Sequence, residues 1–246
     1  MLVEILLATI LVSLVSLVGI SLLLLSKKTM ESFVFIILSF ATGTLFGAAF
    51  LDLLPEAIEG IDSRTAFMTT LGGILIFFIL ERIVHWHHEH HEHPKSEKPL
   101  GLLVLFGDGV HNFFDGVAIA ASFLAGPELG ITTTFAIIMH EIPQELSDFT
   151  LLIYAGLSTK KALAYNFLTA LTAIVGALAF LYFSTAIENI EFYGLALAAG
   201  TFIYIAGTDL LPELHRNEKR TKAGVQLASM LAGIALIWFL TTYLKG

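Results

Sequence analysis

The sequence predicts an all-α polytopic membrane protein forming a single domain over 1–246, and three observations carry that prediction. Apolar residues make up 56% of the chain and charged residues only 14%, against about 25% charged in soluble domains. The apolar residues gather into eight runs of about 20, the length a helix needs to cross the bilayer core. Two of these runs end in the same D-L-L-P-E, which marks an internal repeat. The formal charge of -8 says little about partners, because much of the acid falls within apolar runs, and no nucleic-acid binding is expected. With no cysteine, disulfides and thiolate metal ligands are excluded.

In order, the predicted spans cover 2–25, 33–54, 66–84, 100–124, 131–155, 162–186, 192–211 and 224–240. The first has Glu4 and no Lys or Arg at its start, and it is too long for a signal-peptide core, so it reads as a retained span. Cations follow the odd-numbered spans: Lys27 and Lys28, then Arg82, Lys95 and Lys98, then Lys160 and Lys161, then Arg216, Lys219, Arg220 and Lys222. The other side has only Arg64 and Lys245. By the positive-inside rule the first set is cytoplasmic and both termini lie outside, as expected of a multi-pass protein of the cell membrane.

The repeat pairs 41–56 in span two with 198–213 in span seven, matching Gly43 with Gly200, Asp52 with Asp209, Pro55 with Pro212 and Glu56 with Glu213 without a gap. The two spans cross in opposite directions, so the pattern predicts an inverted repeat, a construction common in alternating-access transporters. Spans four and five form a weaker version, giving a three-two-three arrangement. Asp52, Glu56, Asp209 and Glu213 lie at span ends and read as mouths of a pathway. Gly43, Gly47 and Gly200 read as sites of close helix packing.

Between the repeats, D-G-V-H-N-F-F-D-G (108–116) places Asp108, His111, Asn112 and Asp115 within about 100° of one helix face. A second stretch, H-E-I-P-Q-E-L-S-D-F (140–149), places His140, Glu141, Gln144, Glu145 and Asp148 within about 140°. Pro143 has no N–H for the carbonyl of Met139, so a kink beside His140 is expected. Ionisable groups inside a span cost about 2.5–3.5 kcal/mol each on insertion scales, so two facing stripes of them point to use rather than to hydrogen-bonded glue between helices.

Imidazole and carboxylate without sulfur suit a divalent first-row metal, zinc or iron more than copper(I). His111 and Asp115 are one turn apart, His140 can complete a third vertex, and Gln144 is a weak fourth. Asp108, Glu145 and Asp148 extend the polar path. The one long hydrophilic loop, about 85–99, carries His85, His87, His88, His90, His91 and His93 with Glu89 and Glu92. It reads as a weak metal binder or a solvated tether. A rival from another class is an intramembrane zinc metalloprotease with Glu141 as base, because H-E-I-P-Q begins like H-E-x-x-H. Gln144 removes the second histidine of that motif.

With H-N-F-F-D-G followed by H-E-I-P-Q-E, the chain resembles the ZIP family of zinc and iron transporters over nearly its whole length. The resemblance implies eight spans, both termini outside, a homodimer, and import of Zn2+ (or Fe2+, Mn2+ or Cd2+) into the cytoplasm between helices four and five. It also implies His111, Asp115 and His140 as primary ligands, with Asn112 and Glu141 at an adjacent second site. The family branch most similar to this chain reads H-E-x-P-H-E, and here Gln144 replaces the histidine.

Overall fold

Helix is the only regular structure among the described residues, 1–23, 27–89, 98–216 and 223–244, of this computed structural model. In an apolar solvent each backbone N–H and C=O must be satisfied within its own segment, and a helix does that. Six helices are long and apolar enough to cross a membrane: Leu2–Ile20, Phe33–Gly60, Ser63–Ile83, Thr159–Ser184, Ile190–His215 and Ala223–Tyr243. They carry outward-facing Leu7, Phe67, Phe78 and Trp238, while Asp108, Asn112, His140 and Glu141 are buried inside. That distribution and the six helices make this a multi-pass membrane protein.

The elements are α1 (Leu2–Val15), which tightens into a 3₁₀ turn over Ser16–Leu23, α2 (Lys27–Ala48), α3 (Leu54–Gly60), α4 (Ser63–Glu89), α5 (Lys98–Ala125) and α6 (Pro127–Tyr154). They continue with α7 (Thr159–Ala170), α8 (Thr172–Ser184), α9 (Ile190–Ile205), α10 (Leu211–Arg216) and α11 (Ala223–Leu244). The helices α5 and α6 have 28 residues each, long enough to span, and they hold both polar stripes. At the end of α6, Gly156 takes a φ of 85°, and Leu157 N–H donates to the carbonyl of Leu152, a cap that only a residue tolerant of positive φ supplies readily.

Two of the sequence boundaries move. The helices containing α2 and α9 run past Pro55 and Pro212, where the sequence places span ends. Each passes through one π-helical turn, Ala49–Leu53 and Ala206–Leu210, before the proline. The Leu54 N–H reaches back to the Ala49 carbonyl and the Leu211 N–H to the Ala206 carbonyl, five residues each. The wider turn accommodates the ring that would otherwise clash with the carbonyl four residues back. The two π turns are offset by 157 residues, as are Asp52 and Asp209.

Packing repeats with the same register. A Cβ on Gly43 would strike the Met230 backbone, and one on Gly233 the Phe40 carbonyl, so α2 and α11 cross in backbone contact. A Cβ on Gly200 would strike the Thr70 backbone, and one on Gly73 the Leu197 carbonyl, so α9 and α4 cross in the same way. Phe40 and Leu197 are again 157 apart. Gly60, which ends α3, lies against Phe192 at the start of α9, so the helix containing α2 and α3 runs antiparallel to α9. Between these pairs, α5 crosses α8 where Gly116 meets Ala173 and Gly176 meets Phe113.

Candidate metal centre

The helices α5 and α6 pack face to face and bring four side chains together: His111 and Asp115 from α5, His140 and Glu141 from α6. His111 and Asp115 meet because residues one turn apart share a helix face, and His140 faces them from the partner helix. One donor atom from each of the four lies within 4.8 Å of the others. The imidazole Nε2 atoms are 3.1 Å apart. His111 Nε2 is 3.2 Å from Glu141 Oε1 and 3.7 Å from Asp115 Oδ2. His140 Nε2 is 3.4 Å from Asp115 Oδ2 and 3.5 Å from Glu141 Oε1.

Zinc bound to nitrogen and oxygen at about 2.0–2.1 Å in a tetrahedron requires ligand–ligand edges of about 3.3–3.4 Å. The five measured separations bracket that edge. The donor set also suits a dication electrically, since two carboxylates against two neutral imidazoles leave the filled site uncharged, as burial requires. His140 Nδ1 lies 3.2 Å from the Ala136 carbonyl. With the proton on Nδ1 donated there, the Nε2 lone pair is turned into the cluster. Asp115 Oδ2 and both Glu141 oxygens are buried without a properly directed hydrogen bond, as acceptors waiting for a cation would be.

Aromatic rings from the outer helix pairs wall the cluster. Phe77 of α4 stands edge-on to His111 with centroids 5.9 Å apart, and Phe202 of α9 stands edge-on to His140 at 6.0 Å. His140 and Glu141 are fully buried, and the His111 side chain is 11% exposed. The four donors can therefore hold a dication away from bulk water, with one edge left toward solvent.

The remaining sequence candidates fall into separate places. Asn112 is buried and turns its amide N–H groups toward Asp108, to the carboxylate Oδ1 at 2.8 Å and the backbone carbonyl at 3.2 Å. Gln144 and Asp148 are half-buried, whereas Glu145 is fully buried and accepts a hydrogen bond from Asn166 of α7. Asp52, expected at a span end, is fully buried, while its repeat partner Asp209 is exposed. Glu56 is half-buried and Glu213 exposed. His85, His87 and His88 lie in the last turns of α4, and His90, His91 and His93 lie outside the described residues.

Sequence reasoning passed over Asn166 and Thr169 of α7. The Thr169 hydroxyl donates to Asp108, and Thr172 donates to the Gly109 carbonyl at 2.6 Å, so α7 and α8 anchor the start of the α5 stripe. The available signal was a lone asparagine in an otherwise apolar span. Glu81 of α4 was also missed, and it accepts a hydrogen bond from Tyr204 of α9.

A family profile described as ZIP Zinc transporter matches residues 2–100 and 86–241. The zinc transporter foi of Drosophila melanogaster is 36% identical over 151 residues, covering 61% of this chain and 21% of its own length. Human zinc transporter ZIP10 is 39% identical over 150 residues, 57% of this chain and 18% of its own. The Drosophila zinc transporter ZIP13 homolog is 31% identical over 272 residues, 84% of this chain and 77% of its own. The chain thus spans about a fifth of the length of the first two relatives. With the profile running from one end of the helical bundle to the other, and its middle holding the four-donor cluster, the chain belongs to the ZIP zinc transporter family.

Proposed function

We propose that the chain is one transmembrane transporter domain over 1–246, importing divalent metal, Zn2+ foremost, across the cell membrane into the cytoplasm. The observation that carries this reading is the four-donor cluster with zinc-sized edges between α5 and α6. The relatives, all named zinc transporters, support it from outside. The protease reading has no such support, and Gln144 removes a histidine that it needs. Fe2+, Mn2+ and Cd2+ are further substrates that the same donors accept with different strength.

In this reading α5 and α6 join the six apolar helices as spans four and five, with both termini outside and the domain built as an inverted three-two-three repeat. The matched π turns, the antiparallel course of the helix containing α2 against α9, and the equivalent crossings at Gly43 and Gly200 support that arrangement. The burial of Asp52 beside the exposure of Asp209 and Glu213 fits a conformer closed at the outer mouth and open at the inner one. Rocking of the outer helix pairs against α5 and α6 would exchange the two. Membrane potential alone supplies about 2.3 kcal/mol per charge per 100 mV, so inward flux of a dication needs no coupled fuel. Two chains forming a homodimer and the histidines of 85–93 buffering metal at the cytoplasmic mouth complete the proposal.

Purified protein in liposomes loaded with a metal-sensitive dye should take up Zn2+ saturably, and faster than Mn2+. A flat trace with every metal would end the transporter reading. Gln144→His restores the imidazole of the related branch one turn from His140. It should lower the concentration for half-maximal zinc uptake and slow the maximal rate, because an extra donor holds the ion longer. Kinetics identical to those of the parent chain would remove Gln144 from the ion's path.

A further inference from the structure

One face of α4 carries Gly73, Phe77 and Glu81 at one-turn spacing, and one face of α9 carries Gly200 and Tyr204 in the same way. At Gly73 and Gly200 the two backbones are in contact. One turn on, the Phe77 and Tyr204 rings lie 6.4 Å apart, and the Tyr204 hydroxyl reaches a further turn along α4 to donate to Glu81. Phe77 is buried and directed at α5, where its ring stands 5.3 Å from Phe114 and 5.9 Å from His111. The other outer pair repeats the crossing without the aromatics. Met230, Gly233 and Ile237 of α11 each stand 160 residues from Thr70, Gly73 and Phe77 of α4, and Gly47 stands 157 from Tyr204. A Cβ on Gly47 would lie 3.0 Å from the Ile237 Cβ, so there an aliphatic side chain closes directly on glycine. The two pairs agree at their glycines and depart at Phe77 and Tyr204, on the side that touches His111.

Phe77 against His111 at 5.9 Å and Phe202 against His140 at 6.0 Å are aromatic contacts, so no water fits between either ring and its imidazole. Zn2+ completes a tetrahedron with the four donors and needs no water. Mn2+ favours an octahedral shell of oxygens, so it must bring water to the same four donors. A water held against an aromatic wall loses hydrogen bonds that bulk solvent supplies. We infer that Phe77 is a specificity-determining residue, an apolar wall beside His111 that disfavours ions needing a hydrated octahedral shell, and that Tyr204 and Glu81 position it. The apolar shell around a metal site controls the access of solvent to the ion. Here that shell is braced, because Glu81 fixes the Tyr204 ring and the ring keeps Phe77 from swinging away from His111 toward α9. The inference rests on the four-donor cluster being the metal site of the proposed transporter. It concerns which ion binds there, whether or not that ion crosses.

The experiment titrates detergent-purified full chain with Mn2+, counts free ion by electron paramagnetic resonance, and reads the waters on the bound ion from water-proton relaxation. Mn2+ held at the cluster is the fraction lost when His111→Ala is added. In Phe77→Ala that fraction should tighten about tenfold, and about one further water should appear on each bound ion. Phe77→Leu, which keeps apolar bulk, should stay near the parent chain. Tyr204→Phe keeps the ring and removes only the hydroxyl, and it should shift affinity and hydration the same way by a smaller factor. If Phe77→Ala does not stay monodisperse on gel filtration, Tyr204→Phe decides the matter alone. Mn2+ affinity and hydration unmoved by these substitutions, or an affinity that merely falls with the melting temperature, would overturn the inference. Failure of the transport reading looks different: no zinc uptake by the parent chain, with the Phe77-dependent change in bound Mn2+ still present.

Discussion

His111→Ala is expected to abolish saturable zinc uptake into liposomes, with a fall in initial rate of about a hundredfold. His111 Nε2 lies within 3.7 Å of a donor atom on each of His140, Glu141 and Asp115, so its loss removes one vertex and leaves three donors around a widened gap. Two carboxylates then face a single imidazole, and a dication can complete its shell only with water from the one exposed edge. The fold should survive, because among the described residues the His111 side chain has no hydrogen bond to the backbone and its ring neighbours are His140 and the edge of Phe77. A loss of stability of about 1–2 kcal/mol is the ceiling for such a side chain. Initial uptake rates, read beside gel filtration and a thermal melt of the variant, separate the two effects. Undiminished uptake by a folded variant would show that the four-donor cluster is not on the ion's route.

Gly116→Leu should be worse for the protein than any ligand substitution. Gly116 closes the stripe that begins at Asp108, one residue after Asp115. A Cβ there would come within 2.6 Å of the Ala173 carbonyl carbon and closer still to its oxygen, and backbone of α8 cannot swing aside as a side chain could. The reciprocal contact, Gly176 against Phe113, pins the same crossing from the other side. Forcing α5 from α8 by even an ångström loses the dispersion contacts that hold helices together in lipid, where no hydrophobic effect replaces them. The expected cost is about 3 kcal/mol or more, toward the upper end for overpacking. It should appear as a large fall in melting temperature in detergent, or as failure to accumulate. Gly72→Ala is the control, since a Cβ at Gly72 meets nothing within 4 Å. Equal stability of the two variants would contradict the backbone crossing.

His111, Asp115 and His140 were legible in the sequence because helical periodicity is local: residues one turn apart must share a face, and polar faces inside apolar runs stand out. The membrane class and the D-L-L-P-E repeat were legible for the same reason, being written in composition and in register along the chain. The repeat even reaches the backbone, where both π turns fall at the same place before the same proline. Glu141, which the resemblance assigns to an adjacent second site, has its Oε1 3.2 Å from His111 Nε2 once α6 packs on α5, a proximity that no local pattern shows. Asn166 and Thr169 were missed because one asparagine or threonine in a span has many uses, and only the approach of α7 to Asp108 and Glu145 singles them out. Nor does any local pattern distinguish Asp52 from Asp209, identical in motif, one buried and the other exposed. Sequence alone thus determined that this protein is helical and crosses a membrane repeatedly, and which faces of α5 and α6 are polar. Tertiary structure decided which faces meet, because that depends on glycine crossings and close contacts between residues far apart in the chain.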